Sequence, residues 1–438
     1  MLYRKIAAVI EAHLQESPDK ILLVDGARQV GKTTIIRYVG NKLFANLIEV
    51  NMIEDQLGPK LFENVRSVED FYLQVSMVAG AKMQEKAETL IFIDEIQAYP
   101  HLLTLLKFLR EDGRFTYIAS GSLLGVTLAQ TSSIPMGSIR HIQMFPLDFE
   151  EFLLANGMND FAIQALRAKF EARQSLDEGT HHRMMDLFRK YLLVGGMPDA
   201  VNSYLKDTNI QRVRDIQREI RDYYAADASK YDAEHRLKIR RIYDMIPSCM
   251  ENKKKRIVVK DIEGKKGRTM ASYQDEFDYL INAGIALEVR AIANPVFPLV
   301  SSSGKNLLKL YFNDVGILTG ILFGNNIRAI LDDARSINLG AVYETVVASE
   351  LIAHGHALYY YDNRQRGEVD FLIDSYDDLA VVPLEIKSGK DYTVHSALSG
   401  FVASGSYPVK DAYVLSNART IEKNRGITYL PIYFVMFF

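Results

Sequence analysis

Hydrophobic positions along the chain alternate between two rhythms. Short apolar runs of the buried-strand kind are separated by stretches whose apolar residues recur every three or four positions, as on one face of a helix. Ile6, Val9, Ile10 and Leu14 predict an amphipathic helix over 6–15. Ile21-Leu22-Leu23-Val24 predicts a strand, Ile35 to Asn41 a helix, Leu47 to Asn51 a second strand, and residues 59–87 a mostly helical stretch. Leu90 to Ile93, Phe115 to Ser120 and Ile139 to Met144 predict further strands. Strands alternating with helices imply a parallel sheet, with a ligand at the carboxyl ends of its strands. Beyond residue 146 the pattern turns helical: Leu147 to Ala155, Phe161 to Ala172, and His182 to Val194, which stops at Gly195-Gly196. The adjacent His181-His182 pair lacks the spacing of metal ligands and predicts a loop or cap. Asn209 to Leu280 stays helical, interrupted at Lys253-Lys254-Lys255-Arg256. A helix over 272–283 and a strand from Ala286 to Ala293 give the outline of a winged-helix module. From residue 340 the α/β alternation returns: a helix over 341–353, strands Ala357 to Tyr361, Glu368 to Ile373 and Ala380 to Ile386, a helix near 393–403, and a strand Ala412 to Ser416.

The first strand–helix junction carries Gly26-Ala27-Arg28-Gln29-Val30-Gly31-Lys32-Thr33-Thr34. Two glycines with four residues between them, then Lys and Thr, between a strand and a helix, is the phosphate-loop pattern. Glycine lets backbone N–H groups turn toward an anion, and the helix N-terminus adds partial positive charge. Lys32 can reach the β- and γ-phosphates of ATP, and the Thr33 hydroxyl can ligate Mg²⁺. The strand ending in Asp94-Glu95 stands 62 positions beyond Lys32. Asp94 is placed to hold Mg²⁺ through its water shell, and Glu95 to polarise the attacking water as general base. Ser120 or Ser122 is either a sensor of the γ-phosphate or a polar strand end. Arg140 is either a finger reaching a neighbouring subunit in a homo-oligomer or a surface arginine.

Composition narrows the classes. At 438 residues the chain is too long for one core, and its 48 % hydrophobic and 24 % charged residues are ordinary for a soluble protein. A net charge of −3 gives no overall basic field for nucleic acid, although a local basic face stays possible. Cys249 is the one cysteine, which excludes an internal disulfide and fits a cytoplasmic setting. Neither a signal peptide nor a run of the ~20 apolar residues that would span a bilayer is expected. A DNA-reading winged helix needs basic or amide side chains on its third helix. Here that helix carries Asp275, Glu276 and Asp278, with Gln274 alone as a reader, so a protein-contact role is favoured. The basic cluster at 253–256, with Lys260, Lys265, Lys266 and Arg268, is either a phosphate-touching surface or a solvated loop.

A second set of chemical residues lies near the C-terminus. Asp370 precedes Glu385-Ile386-Lys387 by 15 residues, the carboxylate–carboxylate–lysine layout of a metal-dependent nuclease. Alternation puts Glu385 and Lys387 on one face of their strand. Asp370 and Glu385 are expected to share a Mg²⁺ (or Mn²⁺), Glu344 to complete the metal site, and Lys387 to orient the attacking water.

The phosphate loop, Phe92-Ile93-Asp94-Glu95-Ile96-Gln97, Phe145-Pro146-Leu147-Asp148-Phe149-Glu150-Glu151-Phe152, Gly195-Gly196-Met197-Pro198, Lys309 to Gly316 and Gly367-Glu368-Val369-Asp370-Phe371 resemble a prokaryotic AAA-type ATPase family with a C-terminal domain of unknown function. The resemblance implies an α/β chain of four parts. These are a P-loop ATPase core over 1–146, a helical lid over 147–206, a winged-helix-like domain over 207–330, and a PD-(D/E)XK nuclease-like domain over 331–438. It implies that Pro198 lies near the adenine, in place of a sensor arginine. Where many members carry Gly-Arg directly, this chain has Gly137-Ser138-Ile139-Arg140. The expected function is an ATPase whose nucleotide state controls a DNA nuclease. The alternative is an ATP-dependent switch whose nuclease-like domain only binds DNA or a regulatory protein.

Overall fold

The computed structural model describes residues 1–16, 19–122, 137–227, 233–252, 255–264, 267–302, 304–331, 339–389 and 391–438. Lys253, Lys254, Lys265 and Lys266 of the expected basic cluster lie outside these. The chain forms two compact units, one chiefly Tyr3–Phe145 and the other Pro146–Ile281 with Ile285–Phe438.

The first unit is a five-stranded parallel sheet: β1 (Ile21–Asp25), β2 (Asn46–Asn51), β3 (Thr89–Asp94), β4 (Thr116–Gly121) and β5 (Ile139–Gln143), in the order β2-β3-β4-β1-β5. Every residue of β1 and β3 is buried, as central parallel strands covered on both faces must be. One large core cluster, including Phe62, Phe71, Ile93, Leu103 and Leu106, packs helices Val68–Ala79 and His101–Asp112 against the sheet. The expected helix over 59–87 is shorter: Ser67 caps its start and Gly80, at φ +54, ends it. β1 lies between β4 and β5, so the strand order switches there, the place where open parallel sheets bind ligands at the carboxyl ends of their strands.

The second unit is built around an eight-stranded mixed sheet ordered β12-β13-β11-β10-β9-β8-β6-β7. Its strands are β6 (Ala286–Ile292), β7 (Gly304–Phe312), β8 (Tyr359–Asn363), β9 (Gly367–Ser375), β10 (Ala380–Lys387), β11 (Ala412–Ser416), β12 (Glu422–Asn424) and β13 (Ile427–Pro431). The strand pair β6–β7, expected as the wing of a separate module, continues this sheet, because β6 pairs in parallel with β8. The acidic helix before it, Gln274–Asn282, turns one acid inward: Glu276 is buried and accepts from His235 Nδ1 at 3.0 Å.

The helices expected to form a lid pack onto the same body. Asp148 and Glu151 form a capping box that starts helix Phe149–Ala155, and Asp177 caps helix Glu178–Val194. The Phe149 amide donates to Glu350 Oε1 at 2.7 Å, and Phe170 packs against Phe434, Phe437 and Phe438. His181 corrects the loop or cap expectation. It is buried inside helix Glu178–Val194, with Nδ1 3.0 Å from the Tyr433 hydroxyl. No helix among the described residues is long and apolar enough to cross a membrane.

Candidate functional site

The phosphate-loop residues sit where β1 hands over to helix Lys32–Leu43. Gly26 (φ +151) and Gly31 (φ +98) hold conformations that L side chains rarely adopt, and Gln29 is left-handed at φ 64. At Gly26 space is also closed, since a Cβ would stand 2.2 Å from the Met144 carbonyl oxygen. Ala27 and Val30 are buried and anchor the loop, Arg28 is half-buried, and Thr34 is exposed on the first helical turn. Arg4 fixes the loop from outside the motif, donating to Val30 O at 2.8 Å and Phe145 O at 2.6 Å. Lys32 is buried and donates to the Gly26 and Ala27 carbonyls, each at 2.9 Å. Burial pulls its ammonium down, against the opposing charges of Glu95, Asp25 and Asp94.

The strand ends converge on this loop. Thr33 Oγ1 donates to Asp94 Oδ2 at 3.0 Å, and the Ser120 hydroxyl donates to Asp94 Oδ1. Burial raises the Asp94 carboxyl, with the Ser120 and Thr33 bonds opposing it. Glu95 has a left-handed backbone (φ 53) that separates its side chain from that of Asp94. Its Oε2 accepts from Ser122 at 3.0 Å and from Gln97, whose amide also reaches Ser122 at 3.3 Å. Burial alone would raise Glu95; the Gln97 bond, the Lys32 charge and the Ser122 bond outweigh it, and the net shift is downward. Glu95 is therefore an ionised carboxylate at neutral pH. The two serines divide the work: Ser120 holds the first acid and Ser122 the second. Gln97 and Arg4 belong to the site as well; Gln97 closes the stretch Phe92 to Gln97 that carries the family resemblance, without a role read for it, and no motif marks Arg4. Gln97 lies two residues beyond Glu95, and a basic residue ahead of a phosphate loop is too common to be a signal.

Arg140 is exposed on the edge strand β5, with Nη1 3.4 Å from His13 Nδ1. Pro198 opens helix Pro198–Asp207 in the second unit, just after Gly196. Gly195 and Gly196 are needed there. A Cβ at Gly196 would meet the Leu147 carbonyl oxygen at 2.0 Å, and the Gly196 amide donates to Asp314 Oδ2 at 2.6 Å.

In the second unit the structure brings the nuclease-type residues into one charged cluster. Glu344, from helix Gly340–Ala353, is fully buried; it accepts from the Tyr311 hydroxyl at 3.0 Å and is bridged by Lys255. Asp370 on β9 accepts from the Ile386 amide at 2.8 Å. Lys387 Nζ lies 2.8 Å from Glu385 Oε1 on β10, while the buried Glu385 Oε2 has no hydrogen-bond partner. Lys309, on β7 and wholly buried, pairs with Glu368 at 2.5 Å. Burial, then the charge of Asp370, pushes Glu385 up to about 8 and raises Glu344 as well. Lys255 takes a cation's place on Glu344, and among the described residues no three His, Cys, Asp or Glu side chains gather as a metal-holding group. The reason is electrostatic: carboxylates at this burial need counter-charge, and two lysines from distant segments, Lys255 and Lys309, join Lys387 in supplying it.

Comparison with known families agrees with the first of these sites. Residues 18–153 match the family model of an AAA domain (AAA_14). Residues 185–326 and 339–435 match two domains of unknown function, DUF8612 and DUF4143. A comparison with curated proteins gave no match. Among solved structures, the chain is similar to a Walker-type ATPase, PABY2304 of Pyrococcus abyssi, at 14% identity (74% of this chain, 96% of that one, TM-score 0.44). It is similar to the Aeropyrum pernix ORC1 protein in complex with DNA at 14% identity (74% and 94%, TM-score 0.32). It is also similar to the Thermotoga maritima RuvB Holliday junction branch migration motor at 12% identity (65% and 89%, TM-score 0.32). The family match falls on the residues that build the loop and its acids, and the first unit is an ATP-binding P-loop ATPase domain of the AAA type.

Proposed function

We propose that the chain is an Mg²⁺-dependent ATP hydrolase acting as a nucleotide-driven switch. On this reading the nuclease-type cluster of its second unit binds DNA or a protein partner rather than cutting. The observation that carries the hydrolase half is the division of the two acids. Asp94 is tied to Thr33 and Ser120, and Glu95 is held, ionised, by Gln97 and Ser122. Thr33 and Asp94 present the hard oxygen donors that Mg²⁺ takes, and they would hold it. When bound, Mg²⁺ supplies charge for the β- and γ-phosphate oxygens. Lys32 moves its ammonium from the Gly26 and Ala27 carbonyls to the phosphates. Glu95 orients the attacking water and accepts its proton, with Ser122 and Gln97 fixing the oxygen that does so.

The test is steady-state ATP turnover by the full chain. Lys32→Ala should lose ATP binding. Glu95→Gln should keep it while lowering kcat by roughly 10²–10⁴, the usual worth of a positioned base. Turnover by both variants at the wild-type rate overturns the hydrolase reading.

For the second unit, the ion pair of Lys255 with Glu344 favours binding over cutting, because a lysine occupies one of the carboxylates a divalent cation would need. A salt series of DNA binding separates the partners. Steep loss of affinity with salt marks phosphate contacts, and absence of binding at low salt leaves a protein.

A second reading, a nuclease, draws on one observation: Glu385 Oε2 is buried without a partner and the carboxyl is held far above its ordinary range. Cleavage of plasmid, single-stranded or branched DNA with Mg²⁺ or Mn²⁺, lost in Asp370→Ala, would establish it. Cutting no faster than that variant removes it.

A further inference from the structure

We infer that the second unit binds a single phosphoryl group, as orthophosphate or a small phosphomonoester, in a cavity between helices Ile210–Asp227 and Val315–Phe323. The cavity has a volume of about 120 Å³. That is well below the roughly 300–1,000 Å³ of pockets for drug-sized ligands, and it suits one tetrahedral anion. Arg214, Arg218 and Arg221 line it, and none of its lining residues is acidic. Their spacing of four and three residues puts the three guanidinium groups on one face of their helix.

Arg214 is the built part of the site. It is 3 % exposed, and its Nε and Nη1 are spent on neutral acceptors. Nε donates to Gly324 O at 2.9 Å. Nη1 reaches Leu193 O, Gly316 O and Thr319 Oγ1, each at 3.1 Å, and Gln217 Oε1 at 2.7 Å. Its Nη2 is buried and has no hydrogen-bond partner. Asp314 acts on Arg214 through its charge. Its oxygens, however, are taken up by the Gly196 amide at 2.6 Å and the Ile317 amide at 3.0 Å. A buried cation bonded only to neutral groups is costly. Burial accordingly pulls the Arg214 guanidinium down to about 10.

Gly320 and Gly324 of the facing segment line the cavity, and Gly316, one turn earlier, lets that segment pack closely on Gln217. A Cβ at Gly316 would stand 2.4 Å from Gln217 Nε2, and one at Gly320 would stand 3.1 Å from Gln217 Oε1. Arg218 and Arg221 are held by Asp215 at 3.1 Å and Asp244 at 3.0 Å. Both pairs are solvent-exposed and weak enough for the arginines to turn inward.

The phosphate loop also takes phosphate, so the test is made in the full-length Lys32→Ala chain. Isothermal titration calorimetry with inorganic phosphate should show binding that weakens with added salt. Adding Arg218→Gln and Arg221→Gln together should weaken it by at least about tenfold, since hydrogen bonds to charged groups are being removed. The melting temperature without phosphate should hold. Both substitutions are at the surface, so the test does not depend on the chain tolerating a change at Arg214. Tighter binding of ribose 5-phosphate than of orthophosphate identifies a monoester, and the reverse order identifies the free anion; either supports the site. No binding by the Lys32→Ala chain, or binding unchanged by the arginine pair, overturns it.

Discussion

Glu385→Gln should make the protein more stable than wild type, and by more at pH 8 than at pH 6. Glu385 has an ordinary value of 4.5 and is pushed up to about 8 by burial and by Asp370. Between those values the folded chain keeps a proton that the unfolded chain releases. Stability therefore falls as pH rises through the window, the reverse of the usual salt-bridged acid. At about 1.4 kcal/mol per pH unit, the full span of roughly 3.5 units is worth at most about 5 kcal/mol, of which about 3 falls between pH 6 and 8. Asp314, raised to about 6 by its own burial, makes the same kind of contribution mainly below that window, so the interval from 6 to 8 isolates Glu385. Buried histidines such as His181 and His395, lowered by burial, tilt stability the other way, but equally in both proteins. Glutamine keeps the acceptor for Lys387 and cannot ionise. The assay is urea unfolding followed by circular dichroism at pH 6, 7 and 8, with EDTA present so that a divalent cation cannot stand in for the proton. A variant that differs from wild type by the same free energy at all three pH values refutes the account of Glu385.

Gly26→Ala should unfold or cripple the nucleotide unit, at a cost of about 3 kcal/mol or more, because its Cβ would overlap the Met144 carbonyl at 2.2 Å; a thermal melt matching wild type would contradict this. Ser122→Ala should lower kcat for ATP by about tenfold with KM nearly constant, since Glu95 loses an orienting bond and ATP loses none; a rise in KM alone would assign the serine to binding. Asp314→Ala should cost about 2–4 kcal/mol in urea melts, since it removes a helix cap and strands the Gly196 amide. Lys255→Met should cost about 3 kcal/mol by taking the bridging cation from buried Glu344, and adding Glu344→Gln should recover most of it. Additive losses in that double variant would show that the two side chains do not work as a pair.

The first site was legible because its information is local. The strand, loop and helix around Gly26–Thr34 are contiguous, and the apolar run into Asp94-Glu95 marks its own carboxyl end, so the periodicity that finds the strands also finds the ligand's place. Ser120 and Ser122 were legible as strand-end polar residues, but which acid each holds depends on the left-handed turn at Glu95, which no pattern announces. The second unit shows the opposite case. Its strands and the order Asp370, Glu385, Lys387 can be read, yet β6 joins the sheet through a parallel pairing with β8, nearly seventy residues away. Its partners are likewise remote: Glu350 meets Phe149 across 201 positions and Lys255 meets Glu344 across 89. Contacts of this kind run across the expected boundaries at residues 206 and 330. Segment-by-segment reading also finds three acids without the lysines, Lys255 and Lys309, that the fold sets beside them. Charge balance is the property of a neighbourhood, and a neighbourhood assembled by long-range pairing is what a linear pattern conveys least. Lys309 makes the point. In the sequence it alternates with Leu308 and Leu310 as an outward-facing strand residue would. In the fold it is wholly buried over the Tyr360 ring beside Glu368, because the carboxylates around it make an interior lysine the favourable choice.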